Sequence, residues 1–245
     1  MIKFYLFTYS QDEEEALQCI LGIRAALPEA AITVVDDQNN PCSQAFETQV
    51  TTAGGSRYMQ SSFARKGNLR GPDCIRGIID TLAEDAEDQD LIVKIDSDTL
   101  LVSGNWLREM KSSRLVYYSS GYANPKNYME RTAYGVCYAL KGEAVKKVKA
   151  ELAQRQLEPL APEDLTIAQT VRDLYPSDLI YQEEPWSPQY TDGKWAGWNW
   201  WSRLVTPEKY SGFKVVTFGT MMPANYLREL RALKMKELRE YVHSA

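Results

Sequence analysis

The sequence predicts an α/β fold, a mostly parallel sheet flanked by helices. Three observations predict it. Short apolar segments rich in β-formers alternate with helical patterns through the first half of the chain. Leu91-Ile92-Val93-Lys94-Ile95 is a near-continuous apolar run, the pattern of a strand covered on both faces. Helical crossovers between such strands are right-handed and leave the strands parallel.

Each element follows from its local pattern. Ile2 to Phe7 is the first strand. A helix runs from about Glu13 to Ala26, with Ala16, Leu17, Ile20, Ile23, Ala26 and Leu27 on one face and Pro28 just beyond. Ala31 to Val35 is the second strand and stops at Asp36-Asp37, and Ala45 to Val50 reads as a further short strand. The polar stretch from Thr51 to Pro72 carries Arg57, Arg65, Lys66 and Arg70; loops of that length are uncommon unless functional or disordered. Pro72 suits a first helical turn and opens a helix to Asp85. Leu115 to Tyr118 and Ala133 to Leu140 read as strands, Gly142 to Gln154 and Glu163 to Leu174 as helices. Five tryptophans (Trp186, Trp195, Trp198, Trp200 and Trp201) fall in a loop between Glu183 and Trp201. Phe213 to Phe218 is the last strand. Asn225 to Val242 is an amphipathic closing helix, with Leu227, Leu230, Leu238 and Tyr241 apolar and basic residues opposite. No repeat or linker interrupts the chain, so a single domain is expected over 1–245.

Composition narrows the function. With 245 residues, 44% of them hydrophobic, the chain buries on the order of 70% of its unfolded surface and is not disordered. A net charge of −5 gives no overall basic footprint, so no nucleic-acid partner is expected. No apolar run reaches 18 residues, so no transmembrane segment is expected. The first residues lack a signal peptide's h-region and cleavage site, which points to the cytoplasm. The four cysteines are widely spaced without a C-x-x-C and read as reduced, mostly buried thiols. His243 is the single histidine, so sites built from several histidines are excluded.

Chemistry concentrates at Lys94-Ile95-Asp96-Ser97-Asp98-Thr99. Asp96 and Asp98 sit just past an apolar strand, at the carboxyl end where open α/β sheets bind ligands. A hard cation such as Mn²⁺ or Mg²⁺ takes one or two carboxylates and completes its octahedron with phosphate oxygens and water. That suits a nucleotide diphosphate whose departing charge needs neutralising. The same residues also make an ordinary polar turn.

The segment from Asp90 through Val102, followed by Asn105-Trp106-Leu107, resembles the K-x-D-x-D region of GT-A-fold glycosyltransferases, above all the β1,3-galactosyltransferase and Fringe-like group. Tyr134-Gly135-Val136-Cys137-Tyr138-Ala139-Leu140, a helix, and then Pro162-Glu163-Asp164-Leu165 resemble a second block of that group, in the same order. The resemblance covers about Asn68 to Tyr175. It implies a mixed, mostly parallel GT-A sheet, with a nucleotide-sugar-binding half over 1–103 and an acceptor-binding half over 104–245. It further implies a metal-dependent inverting transfer from a nucleotide diphosphate sugar, a UDP-sugar, to a hydroxyl acceptor. Asp96 and Asp98, with Ser97 between them, hold the metal and donor; of the pair Glu163 and Asp164, Asp164 is the general base that takes the hydroxyl proton. Acids at a helix start are also favoured by the exposed amides and the macrodipole.

The resemblance places uracil and ribose at Thr8 and Tyr9 and at Asp36 and Asp37, which are equally strand-end loop residues. Asn68 falls in the group's N-L dipeptide, and Arg70 or Arg76 pairs with diphosphate oxygens unless each is a solvated surface arginine. Trp195 and Trp198 stack on sugar or, with the other tryptophans, cover the core. One departure stands out. Many members of the group it resembles supply a third metal ligand, a histidine, where Val215-Val216-Thr217-Phe218-Gly219 has none. That leaves open a catalytically silent nucleotide- or carbohydrate-binding module of the same fold. A haloacid-dehalogenase-type phosphatase also places D-x-D after an apolar strand, but its downstream acids are missing here. Arg228, Arg231, Lys234, Lys236 and Arg239 of the closing helix form either a surface for anionic membrane or a solvated face interleaved with Glu229, Glu237 and Glu240.

Overall fold

A computed structural model describes residues 1–65, 69–123, 131–183, 190–191, 194–195, 214–218 and 225–244. Strand β1 (Ile2–Thr8) leads into α1 (Glu13–Ala26), β2 (Ala31–Asp36), α2 (Gln44–Gly54) and β3 (Arg57–Gln60). Helix α3 (Pro72–Ala83) precedes β4 (Leu91–Asp96), β5 (Thr99–Leu101) and α4 (Asn105–Ser112). Then come β6 (Tyr117–Ala123), β7 (Arg131–Lys141), α5 (Gly142–Gln154), α6 (Glu163–Leu174) and β8 (Ile180–Glu183). The last elements are the two-residue strands β9 (Tyr190–Thr191) and β10 (Lys194–Trp195), β11 (Val215–Thr217) and α7 (Asn225–His243).

Seven strands form one sheet in the order β3-β2-β1-β4-β7-β6-β8. It is parallel except where β7 inserts antiparallel between β4 and β6. This is the α/β architecture the alternation predicts. Period-two alternation splits the core. Phe4, Leu6, Val34, Val93 and Ile95 join Ile20, Ile23, Trp106, Met235 and Leu238 on one face. Tyr5, Phe7, Val35 and Ile92 join residues of α3, α5 and α6 on the other. β4 is buried on both faces, as its apolar run requires.

Several elements correct the sequence reading. Residues 45–50 are helix, not strand. Ser43 caps α2 by accepting from Phe46 N at 3.2 Å, and Gly55 follows in the left-handed region (φ 54°). Phe46 and Val50 are buried four apart on one helical face. The stretch 51–72 is therefore no single loop, because it holds the end of α2 and the edge strand β3. Helix α4 was not expected; Trp106, Leu107 and Met110 bury one face of it. A second small sheet pairs β5 with β11, and Phe218 N donates to the Asp98 carbonyl at 2.7 Å.

The four cysteines are unpaired, three of them buried, in line with the reduced-thiol reading. No described helix is long and apolar enough to cross a membrane. On α7, Lys234 pairs with Glu237, and Lys236 and Arg239 with Glu240.

Candidate functional site

β4 ends at Asp96 and β5 begins at Thr99, so Asp96, Ser97 and Asp98 form the turn beyond the carboxyl end of the central strand. Lys94 faces the α6 side of the sheet and lies opposite Tyr138 of β7 in register. Its ammonium is fully buried, 2.6 Å from Asp96 Oδ1 and 3.9 Å from Glu163 Oε2. The Tyr138 hydroxyl donates to Glu163 Oε1. One buried network, Tyr138–Glu163–Lys94–Asp96, thus ties the start of α6 to the end of β4. Burial pulls the Lys94 pKa down, but Asp96 and Glu163 outweigh it and the net shift is upward. Burial pushes the Glu163 carboxyl up to about 7 against the pull of Lys94. Asp164, the next residue, is half-buried, and its Oδ1 accepts from Leu165 N at 2.8 Å.

Asp98 meets a second cluster, built where α7 crosses the start of α1. Arg231 extends Nη2 to Glu15 at 2.9 Å and to Asp12 at 3.5 Å, and Nη1 to Asp98 Oδ2 at 3.5 Å. Ser97 Oγ donates to Asp12 Oδ2 at 2.9 Å. Burial and the neighbouring Asp96 carboxylate push the Asp98 carboxyl well above the usual range, with Arg231 pulling the other way. Sequence reading did not single out Asp12 and Glu15, because an acidic run before a helix reads as an ordinary first turn. Arg231 was hidden among the basic residues of α7.

At the carboxyl ends of β1 and β2, Thr8 and Asp36 are buried side by side. Asp36 Oδ2 accepts from the Tyr58 hydroxyl at 2.6 Å and from Cys42 N at 2.9 Å. Asp37 accepts from Asn39 N and from the Asn40 side chain. Both aspartates thus shape the 37–42 loop. The Arg65 guanidinium lies 4.5 Å over the Tyr9 ring. Its Nη1 is buried with no hydrogen-bond partner among the described residues, a donor awaiting an acceptor. The sequence showed Arg65 only as one basic residue in a polar stretch. Arg70 is exposed and bridges through its backbone to Pro162, directly before Glu163.

Arg76 is not brought into this group. It donates to the carbonyls of Leu152 and Arg155 at 3.2 and 3.1 Å and fastens α3 to the end of α5. Asn68 and Trp198 lie outside the described residues, as do Trp186, Trp200 and Trp201. Trp195 belongs to β10, paired with Tyr190. His243 is 3.4 Å from the Leu101 carbonyl, at the far end of β5 from Asp98. Among the described residues no group of three or more His, Cys, Asp and Glu forms a metal cluster. Asp96 and Asp98 stay partly open, 22% and 19% exposed. Their crowding with Asp12 leaves excess negative charge, so two carboxylates plus phosphate and water oxygens suit a hard divalent cation.

No protein-family model matches the sequence, and no curated protein matches it. Solved structures match the fold. Galactosyltransferase LgtC, in a complex with donor and acceptor sugar analogs, is similar with a TM-score of 0.59 at 12% identity, over 98% of this chain and 95% of LgtC. The glycosyltransferase GlyE of Streptococcus pneumoniae TIGR4 is similar with a TM-score of 0.56 at 10% identity, over 99% of this chain and 62% of GlyE. The fold is that of GT-A glycosyltransferases. At these identities the likeness speaks for architecture alone. The narrower likeness to the β1,3-galactosyltransferase and Fringe-like group rests on the two sequence blocks.

Proposed function

We propose that this chain is a glycosyltransferase that moves a sugar from a nucleotide diphosphate donor, a UDP-sugar, to a hydroxyl acceptor. The observation that carries the reading is the Lys94 network. It ties Asp96, one of two carboxylates suited to a cation, to Glu163, one of two suited to acid–base work; Asp98 and Asp164 are their neighbours along the chain. The fold shared with the galactosyltransferase LgtC and the glycosyltransferase GlyE supports the same class.

Asp96 and Asp98 hold Mn²⁺ or Mg²⁺ in this proposal, and the bound cation supplies neutralisation of charge on the departing diphosphate. Arg65, whose Nη1 has no hydrogen-bond partner among the described residues, and Arg70 add positive charge for phosphate oxygens. Thr8 and Tyr9, at the end of β1, and the loop shaped by Asp36 and Asp37 form the nucleoside end. Asn68, Trp195 and Trp198 keep their proposed donor contacts. Residues 1–103 then supply most of the donor site, and the acceptor is taken up within 104–245. Glu163 is held by Lys94 and Tyr138 and acts as a positioning residue. Asp164 takes the acceptor hydroxyl's proton as the new bond forms at the anomeric carbon, which makes the transfer inverting.

A specific observation favours a second reading, a silent nucleotide-binding module: the ion-pair partner of Asp98 is an arginine, and among the described residues no third metal-binding side chain joins the pair. A screen of nucleotide sugars with Mn²⁺, followed by NMR of the anomeric proton, separates the readings. Donor turnover with an inverted product is expected. UDP binding without turnover of any donor supports the silent module. A retained configuration removes Asp164 as base.

A further inference from the structure

We propose that Arg231 of the closing helix couples divalent-cation binding to donor binding, so that the cation binds poorly until a diphosphate arrives. This inference rests on the donor site proposed above. Arg231 is nearly buried, and its Nη2 edge is anchored on Glu15 at 2.9 Å and Asp12 at 3.5 Å. Those acids lie at the start of α1, which packs along α7. The anchor leaves Nη1 facing Asp98 Oδ2 at 3.5 Å, an oxygen a cation would also use. The contact is long for an ion pair, so Asp98 is shared rather than consumed.

Two consequences follow from the charges. A cation arriving alone must share Asp98 with a fixed guanidinium, and like charges at that range lower its affinity. A diphosphate brings anionic oxygens that offset both positive charges, so the penalty falls once the donor is present. Linkage makes the effect reciprocal: whatever UDP does for Mn²⁺ affinity, Mn²⁺ does for UDP affinity. Arg231 is therefore a positioning residue for the cation. Arg231 thus competes with the cation for Asp98 until a diphosphate offsets its charge.

Mn²⁺ binding is read by electron paramagnetic resonance, with and without UDP, in the full chain and in Arg231→Gln. Wild type should bind Mn²⁺ alone weakly and much more tightly with UDP. Arg231→Gln should bind Mn²⁺ alone about tenfold more tightly, and UDP should add correspondingly less. Arg231→Lys, if it keeps the charge near Asp98, should lie closer to wild type. Removing Arg231 leaves Glu15 and Asp12 buried without that partner. Should Arg231→Gln fail to fold, the double variant Glu15→Gln/Arg231→Gln removes an acid together with the arginine and is expected to show the same tightening. Equal Mn²⁺ affinities in wild type and variant, with UDP still binding in the presence of Mn²⁺, overturn the coupling and leave the donor site standing. Absence of any Mn²⁺-dependent UDP binding in wild type overturns the donor site and the coupling with it.

Discussion

Lys94 is a buried ammonium in a strand that is otherwise apolar, and its position only makes sense through its partners. In sequence it breaks the apolar run at residues 91–95, and that oddity alone marks it. Asp96, two residues on, was legible as one partner. Glu163, 69 positions further along the chain, was not, because only the pairing of β4 with β7 and the docking of α6 bring it near. Its environment is testable. The Glu163 carboxyl rises from 4.5 to about 7 on folding. Between those pH values the unfolded chain has released a proton that the folded chain keeps. Stability from this group therefore falls as pH rises through the window, by up to about 3 kcal/mol. Glu163→Gln should lack that slope in urea denaturation, and a difference from wild type that stays constant with pH would contradict the buried carboxyl. Asp164→Asn, by contrast, should keep UDP binding and lose transfer about 10²- to 10⁴-fold, measured as single-turnover rates with saturating donor. Transfer at the wild-type rate removes Asp164 from the mechanism.

Among the elements, those with strong periodicity were legible and those set by capping or edges were not. The helices at 142–154 and 163–174 match their patterns, since apolar residues recur at helical spacing through each. Residues 45–50 were misread because Phe46 and Val50 in a short window fit either period. The deciding signal was Ser43, whose hydroxyl satisfies an orphan amide and holds Glu13 of α1 as well. Strand β3 has no apolar alternation to announce it, and only its parallel register with β2 makes it a strand. Arg76 belongs at this scale, since its guanidinium joins α3 to α5. Arg76→Ala should lower unfolding stability by about 2 kcal/mol, the scale of hydrogen bonds from a charged donor. It should leave the UDP dissociation constant unchanged, and a loss of UDP affinity at unchanged stability would return Arg76 to the donor site.

Over the whole molecule, a parallel sheet with both faces covered gathers its reactive groups at one edge, where β1, β2 and β4 end. That edge was legible because D-x-D follows the most apolar strand. The second cluster was not, because it depends on α7 returning across α1 to bring Arg231 to Asp98. The architecture therefore unites the last helix with the first turn of the chain at the proposed cation. The central claim is that Asp96 and Asp98 hold a divalent ion that holds a diphosphate. Titration calorimetry of UDP into wild type and Asp98→Asn, each with and without Mn²⁺, tests it most directly. Strong Mn²⁺-dependent heat in wild type, lost in Asp98→Asn at an unchanged melting temperature, is the expected result. UDP binding that ignores both the metal and the substitution would contradict it.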